Sequence, residues 1–250
     1  MIEIKNISKS FNDRVILDNV SSTFEKGKVN LVIGGSGSGK TVLMKCMVGL
    51  EEVDKGEIIY DGRNFSLLDF HARKPFRQEI GMVFQGGALF DSLNVEENVM
   101  FPLSMFTNMT MEEKKQRVNF CLQRVNLVNV NHRSPSEISG GMKKRVALAR
   151  AIAPNPKYLF CDEPNSGLDP RTSTVIDQLI KELTQEFNTT TIVNTHDMNS
   201  VLEIGDKVVY LHLGKKWWEG PPDEIMQTDN QQLNDFIFAS SLAKRLKATL

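Results

Sequence analysis

Apolar and polar positions alternate at the start of the chain, where Ile2, Ile4 and Ile7 stand among polar neighbours, and this period of two predicts a half-buried strand. Val15 to Leu17 and Val20 to Phe24 predict further strands of a small N-terminal antiparallel sheet. The pattern then changes. Val29, Leu31, Val32 and Ile33 form a short apolar run that stops at Gly34-Gly35-Ser36-Gly37-Ser38-Gly39-Lys40-Thr41 and continues into the apolar, helix-like stretch Val42 to Val48. The order is strand, glycine loop, helix.

From Gly86 to about Ala153 the chain is mostly helical in character, with Met111 to Val125 the clearest charged amphipathic stretch and Pro135 a break before the next helix. An inserted helical subdomain over about 86–153 is therefore expected. Pro154-Asn155-Pro156 reads as a turn, and Tyr158-Leu159-Phe160-Cys161 as a parallel strand covered on both faces. Thr190 to Val193 and Lys207 to Leu213 repeat the strand signal. Gly220-Pro221-Pro222 ends the compact part, and Asp223 to Leu250 reads as a polar-to-amphipathic helical tail with Phe236, Ile237, Phe238 and Leu242 among polar residues.

Composition narrows the partners. With 40% hydrophobic and 24% charged residues and a formal net charge of -1, whole-molecule attraction to nucleic acid or anionic lipid is not expected. Lys143, Lys144, Arg145 and Arg150 do not change this, because the neighbouring Ala147, Leu148 and Ala149 suggest a packed face behind a solvated charged one. Cys46, Cys121 and Cys161 lie far apart with no CxxC spacing, which argues against a disulfide framework or a zinc site and fits a reducing, cytosolic setting. Met1 to Lys9 has no apolar core of signal-peptide length, and no uncharged apolar run approaches the ~18 residues of a membrane span. Any service to a membrane is expected from outside the bilayer.

Gly34-x-x-x-x-Gly39-Lys40-Thr41 satisfies the Walker A pattern in its required context of preceding strand and following helix. Glycines there let backbone N–H groups converge on nucleotide phosphates, and the positive end of the helix beginning near Lys40 adds a favourable field. Lys40 is expected to reach the β- and γ-phosphates and the Thr41 hydroxyl to ligate Mg²⁺. Tyr158 to Cys161 ends in Asp162-Glu163, which resembles Walker B: Asp162 would hold Mg²⁺, and Glu163 would orient and deprotonate the attacking water.

Ser139-Gly140-Gly141 before this strand and Ser166-Gly167-Leu168-Asp169-Pro170 after it stand in the order of the ABC (ATP-binding cassette) ATPases, and the chain resembles that family over about residues 1–226, leaving 227–250 as a helical tail. The resemblance implies an α/β, P-loop NTPase core with a small N-terminal antiparallel sheet and an inserted helical subdomain. It implies an ATPase working as a pair, in which Ser139 and the amides of Gly140 and Gly141 contact the γ-phosphate of ATP held by the other copy. Asp169 would carry the D-loop role across that interface, and His196 would be the switch histidine. Gln85 matches the Q-loop glutamine, a contact to the metal or water, and Phe11 lies where the family stacks an aromatic on adenine. The signature departs from Leu-Ser-Gly-Gly-Gln in reading Ile138-Ser139-Gly140-Gly141-Met142, which lacks the side-chain amide that the family directs at the opposite nucleotide.

Gln85 to Val99 and Ile138 to Arg150 look like the Mla branch, the ATPases of bacterial phospholipid transport. This implies a homodimer on the cytoplasmic face of the inner membrane, bound to an integral-membrane permease and working with a periplasmic lipid-binding protein of the mammalian-cell-entry type. Leu89, Phe90 and Leu93 are apolar residues suited to receive a coupling helix of the permease. An ATPase of another importer or of lipoprotein release would share all this chemistry. A soluble ABC ATPase of DNA repair or translation would usually add coiled-coil insertions, zinc modules or a second cassette, none of which is visible.

Overall fold

Asn12 and Asp13 set the first hairpin. In the computed structural model, which describes residues 1–69 and 71–238, both take left-handed backbone (φ 46° and 62°). A two-residue type I′ turn needs that conformation twice, and Asn and Asp tolerate it better than other side chains. In chain order the elements are β1 (Ile2–Phe11), β2 (Arg14–Phe24), β3 (Val29–Ile33), α1 (Lys40–Val48), β4 (Lys55–Tyr60), β5 (Arg63–Asn64), α2 (Lys74–Glu79), β6 (Ile80–Val83), α3 (Val95–Phe106), α4 (Met111–Arg124), α5 (Gly140–Ile152), β7 (Tyr158–Asp162), α6 (Pro170–Phe187), β8 (Thr190–Thr195), α7 (Met198–Ile204), β9 (Lys207–His212), β10 (Lys215–Gly220) and α8 (Gln231–Ile237).

These elements fall into two compact units, one made of Met1–Leu68 with the described residues from Asn194 to Phe238, the other of Asp69–Val193. In the first, β1 pairs antiparallel with both β2 and β4, and Ile2, Ile4, Ile7, Leu17, Val20 and Phe24 are fully buried. The two strands expected over 15–17 and 20–24 are one continuous strand, β2. Asn19 interrupts the alternation because it takes a left-handed conformation (φ 55°) at a register shift, a bulge that turns the apolar set back inward. β3 pairs parallel with β9, which pairs antiparallel with β10. The Tyr60 hydroxyl donates to the Met47 carbonyl at 2.7 Å and ties β4 to α1.

The described part of the tail packs on this same unit. Asn230 caps α8, Leu233 and Ile237 are buried, and the Tyr210 hydroxyl of β9 donates to the Gln232 carbonyl at 3.0 Å. Leu242 and the rest of the expected helical tail lie outside the described residues.

In the second unit β6 runs parallel to β7. Helices α3 and α4 each begin with a capping box, Asn94 with Glu97 and Thr110 with Glu113, so their first turns are satisfied by their own sequence. Arg117 of α4 donates to the carbonyls of Ile152 and Ala153 at the end of α5. Helix α6, which the pattern reading does not place, buries Ile176, Leu179, Ile180 and Leu183 on one face. Among the described residues no helix is long and apolar enough to cross a membrane.

All three cysteines are free and buried. Burial pushes Cys46 up to about 12 and Cys121 up to about 11, and raises Cys161 as well. At about pH 8 the native protein is therefore expected to resist a thiol-specific chromophoric reagent that attacks through the thiolate. Unfolding in denaturant should release all three equivalents. Prompt labelling of the native chain, read by absorbance, would contradict this.

Candidate active site

The glycine loop of the first unit is shaped by close approach. A Cβ at Gly34 would lie 2.3 Å from the Leu211 carbonyl oxygen, and one at Gly39 would lie 2.8 Å from Leu17 Cδ2, so β9 and β2 leave no room for side chains there. Around Gly35 and Gly37 a Cβ would meet nothing within 4 Å, which leaves the loop backbone open on that side. Gly39 is left-handed (φ 104°) and precedes α1, whose first turn has no acidic residue to oppose an anion. Lys40 is only 8% exposed, and its ammonium donates to the carbonyls of Gly34 at 2.8 Å and Gly35 at 3.2 Å.

Ser38 supports the phosphate reading independently. Its Oγ is buried with no hydrogen-bond partner, an arrangement that leaves a donor for a bound oxyanion. Gly37 to Val42 line a cavity of about 300 Å³ together with Arg14 and Ile16. Arg14 is a cation that the sequence reading does not single out; the hairpin brings it there, opposite Phe11 in the β1–β2 register. Phe11 is 39% exposed, with the Lys9 ammonium 5.1 Å from its ring centroid. One face of Phe11 is thus held by a cation that Asp54 anchors at 3.0 Å. His196 is exposed just beyond β8, and Asp197 after it caps α7.

The second unit carries the remaining residues. Strand β7 is buried throughout and delivers Asp162, 6% exposed, and then Glu163, which is left-handed (φ 47°). A non-glycine residue held there costs about 1–2 kcal/mol, and such strain collects at functional sites. Ser139 is the N-cap of α5: its Oγ accepts from the Met142 N–H at 3.3 Å, which leaves its own O–H free to donate outward. Ser139 and Gly140 are exposed, while Gly141 is buried. A Cβ at Gly141 would lie 2.6 Å from Thr172 Cγ2. Asp169 caps α6 through the N–H groups of Arg171 and Thr172 and accepts from the Thr172 hydroxyl, contacts that hold its carboxyl below the usual range, the Thr172 hydroxyl most of all. Gln85 is exposed after β6, and its Nε2 donates to Ser166 Oγ at 3.4 Å.

The expected solvated face of Lys143 to Arg150 needs correction. Lys144 is 6% exposed and its ammonium donates to the Gln85 carbonyl. Burial lowers its pKa, opposed by the neighbouring Cys161, Asp162 and Glu163. Arg150 donates to the carbonyls of Gly87 and Ala88, and Arg145 to that of Asn126. The signal was present in the spacing: Ala147, Leu148 and Ala151 stand three, four and seven residues beyond Lys144, which puts this lysine on the buried stripe.

Residues 17–166 match the family profile of the ABC transporter. The intermembrane phospholipid transport system ATP-binding protein MlaF of Haemophilus influenzae is 38% identical over 96% of this chain and 91% of its own length. The methionine import ATP-binding protein MetN of Campylobacter jejuni is 36% identical over 95% of this chain and 75% of its own. Among solved structures, a dimeric bacterial ABC transporter cassette superposes with a TM-score of 0.82 at 33% identity, covering 89% of this chain and 99% of that one. A dimeric cassette in a post-hydrolysis state bound to ADP and Pi gives a TM-score of 0.81 at 33% identity over the same shares. With the glycine loop and the carboxylate strand in place, the chain belongs to the ABC transporter family, as an ATP-binding subunit with a P-loop core whose ATP hydrolysis is coupled to transport.

Proposed function

We propose that this subunit drives phospholipid transport between the membranes of a bacterium, as one of two copies bound to an integral-membrane permease at the cytoplasmic face of the inner membrane. The observation that carries the choice is the signature Ile138 to Arg150, with Met142 in place of glutamine, taken with the likeness to the H. influenzae phospholipid ATPase. In the second unit a cavity of about 380 Å³, lined by Phe84, Phe90, Phe101, Pro102 and Phe106 among others, supports an apolar seat for a permease helix. A periplasmic lipid-binding protein of the mammalian-cell-entry type would complete the system.

In this reading Phe11 stacks on adenine, and the loop from Gly34 to Lys40, with Ser36 and Ser38, surrounds the phosphates. Thr41, Asp162 and Gln85 would be the residues to hold Mg²⁺, which would supply neutralisation of phosphate charge. Phosphate oxygens and water would complete its shell. Glu163 orients the attacking water and takes its proton, while His196 holds the γ-phosphate side. From the second copy, Ser139 donates its hydroxyl, and the amides of Gly140 and Gly141 at the start of α5 add the positive end of a helix. Asp169 shapes the same interface.

A methionine importer is the second reading, favoured by the C. jejuni relative. Purifying the chain with its membrane partner and extracting the complex separates the two. Bound phospholipid, with ATPase activity that responds to lipid and not to methionine, is the expected result. Stimulation by methionine in a lipid-free complex would overturn the lipid assignment.

A further inference from the structure

The loop after Gln85 is tied to α5 through its main chain. Gly87 and Ala88 are left-handed in succession (φ 77° and 46°), and Ala88 has a Cβ to accommodate there. Three of its carbonyls are gathered by two cations of α5. The Lys144 ammonium takes that of Gln85, and the two Nη atoms of Arg150 take those of Gly87 and Ala88 at 2.7 Å each. Lys144 is buried among apolar neighbours on α5, and its partner is a neutral main-chain oxygen. A methionine would fill the same space without the cost of desolvating an ammonium, so packing alone does not account for the charge. Asp162 and Glu163 contribute to the field around it.

We infer that Lys144 is the positioning residue for Gln85: it pins the main chain at 85 to the helix that starts at the signature Ser139, so that the glutamine side chain and the signature N-terminus move as one piece. Arg150 completes the clamp two and three residues further along the loop. The inference rests on the role proposed above for Gln85, and it deepens that role by naming what orients the residue. Lys144 itself touches no reacting atom.

The test uses the full chain with Lys144→Met, Lys144→Arg and Gln85→Ala, and with Lys144→Met combined with Gln85→Ala. Lys144→Met should lower kcat about ten- to a hundredfold with the KM for ATP nearly unchanged, because a misplaced group costs rate and not phosphate binding. Lys144→Arg, which keeps a donor and a charge, should recover part of the loss. Adding Lys144→Met to Gln85→Ala should cost little more. Hydrogen exchange gives a reading independent of turnover: the amides of residues 85–88 should exchange faster in Lys144→Met than in the parent. Unchanged exchange there overturns the inference, as does a Lys144→Met loss that adds in full to that of Gln85→Ala. Wild-type turnover in Gln85→Ala alone would instead remove the catalytic role of Gln85, while exchange would still report the clamp. If Lys144→Met does not fold, Lys144→Gln carries the same measurements, since it removes the charge and keeps polarity.

Discussion

Glu163→Gln should lower ATP turnover by about two to three orders of magnitude, the contribution of a positioned general base, while ATP binding stays close to that of the parent chain. The geometry behind this is specific. Buried β7 ends at Asp162, and the left-handed backbone at Glu163 redirects the chain at that residue. Glutamine has nearly the same shape and keeps the acceptor oxygen, so it preserves the fold and orients water but cannot take the proton. Steady-state phosphate release on the purified complex, with nucleotide affinity measured in parallel, reads both halves. Wild-type turnover in this variant would remove Glu163 from the base role, and a parallel loss of affinity would make it a binding residue instead.

Lys40→Ala should act on the other half, weakening ATP binding by about one to two orders of magnitude, since a charge-assisted hydrogen bond is worth about 1.5–3 kcal/mol. The ammonium is almost enclosed by its own loop, between the carbonyls of Gly34 and Gly35. Removing it leaves those carbonyls facing the phosphates without a neutralising charge. Titration with a fluorescent ATP analogue gives the affinity directly. Equal affinity in variant and parent would contradict the phosphate-cradle reading of Gly34 to Thr41, whatever happened to turnover.

The glycine loop was legible because its spacing is the chemistry: a main chain that must approach phosphate closely tolerates few residue types, and strand and helix flank it in order. Strand β7 was legible from the unbroken apolar run Tyr158 to Cys161, and α4 from its charged amphipathic period. Other features need the fold. Arg14 reaches the phosphate-loop cavity only because the Asn12-Asp13 turn folds β2 back on β1. The continuity of β2 was hidden because the bulge at Asn19 breaks the two-residue period without ending the strand. Among the charges after the signature, residue type predicted solvent for each, whereas helical phase separates buried Lys144 from half-exposed Lys143.

The contact between Gly141 and Thr172 bears on how substitution data in this family member should be interpreted. Enlarging position 141 by one methyl would press on a β-branched side chain whose hydroxyl holds Asp169, so the disturbance would pass from the signature to the start of α6. Loss of activity on Gly141→Ala is therefore ambiguous on its own, because a displaced carboxylate at Asp169 and a blocked amide at 141 would yield the same inactive enzyme. Thr172→Ser, which removes the crowding methyl and retains the hydroxyl, is the natural suppressor: recovery in the double variant would trace the defect to crowding and not to the phosphate.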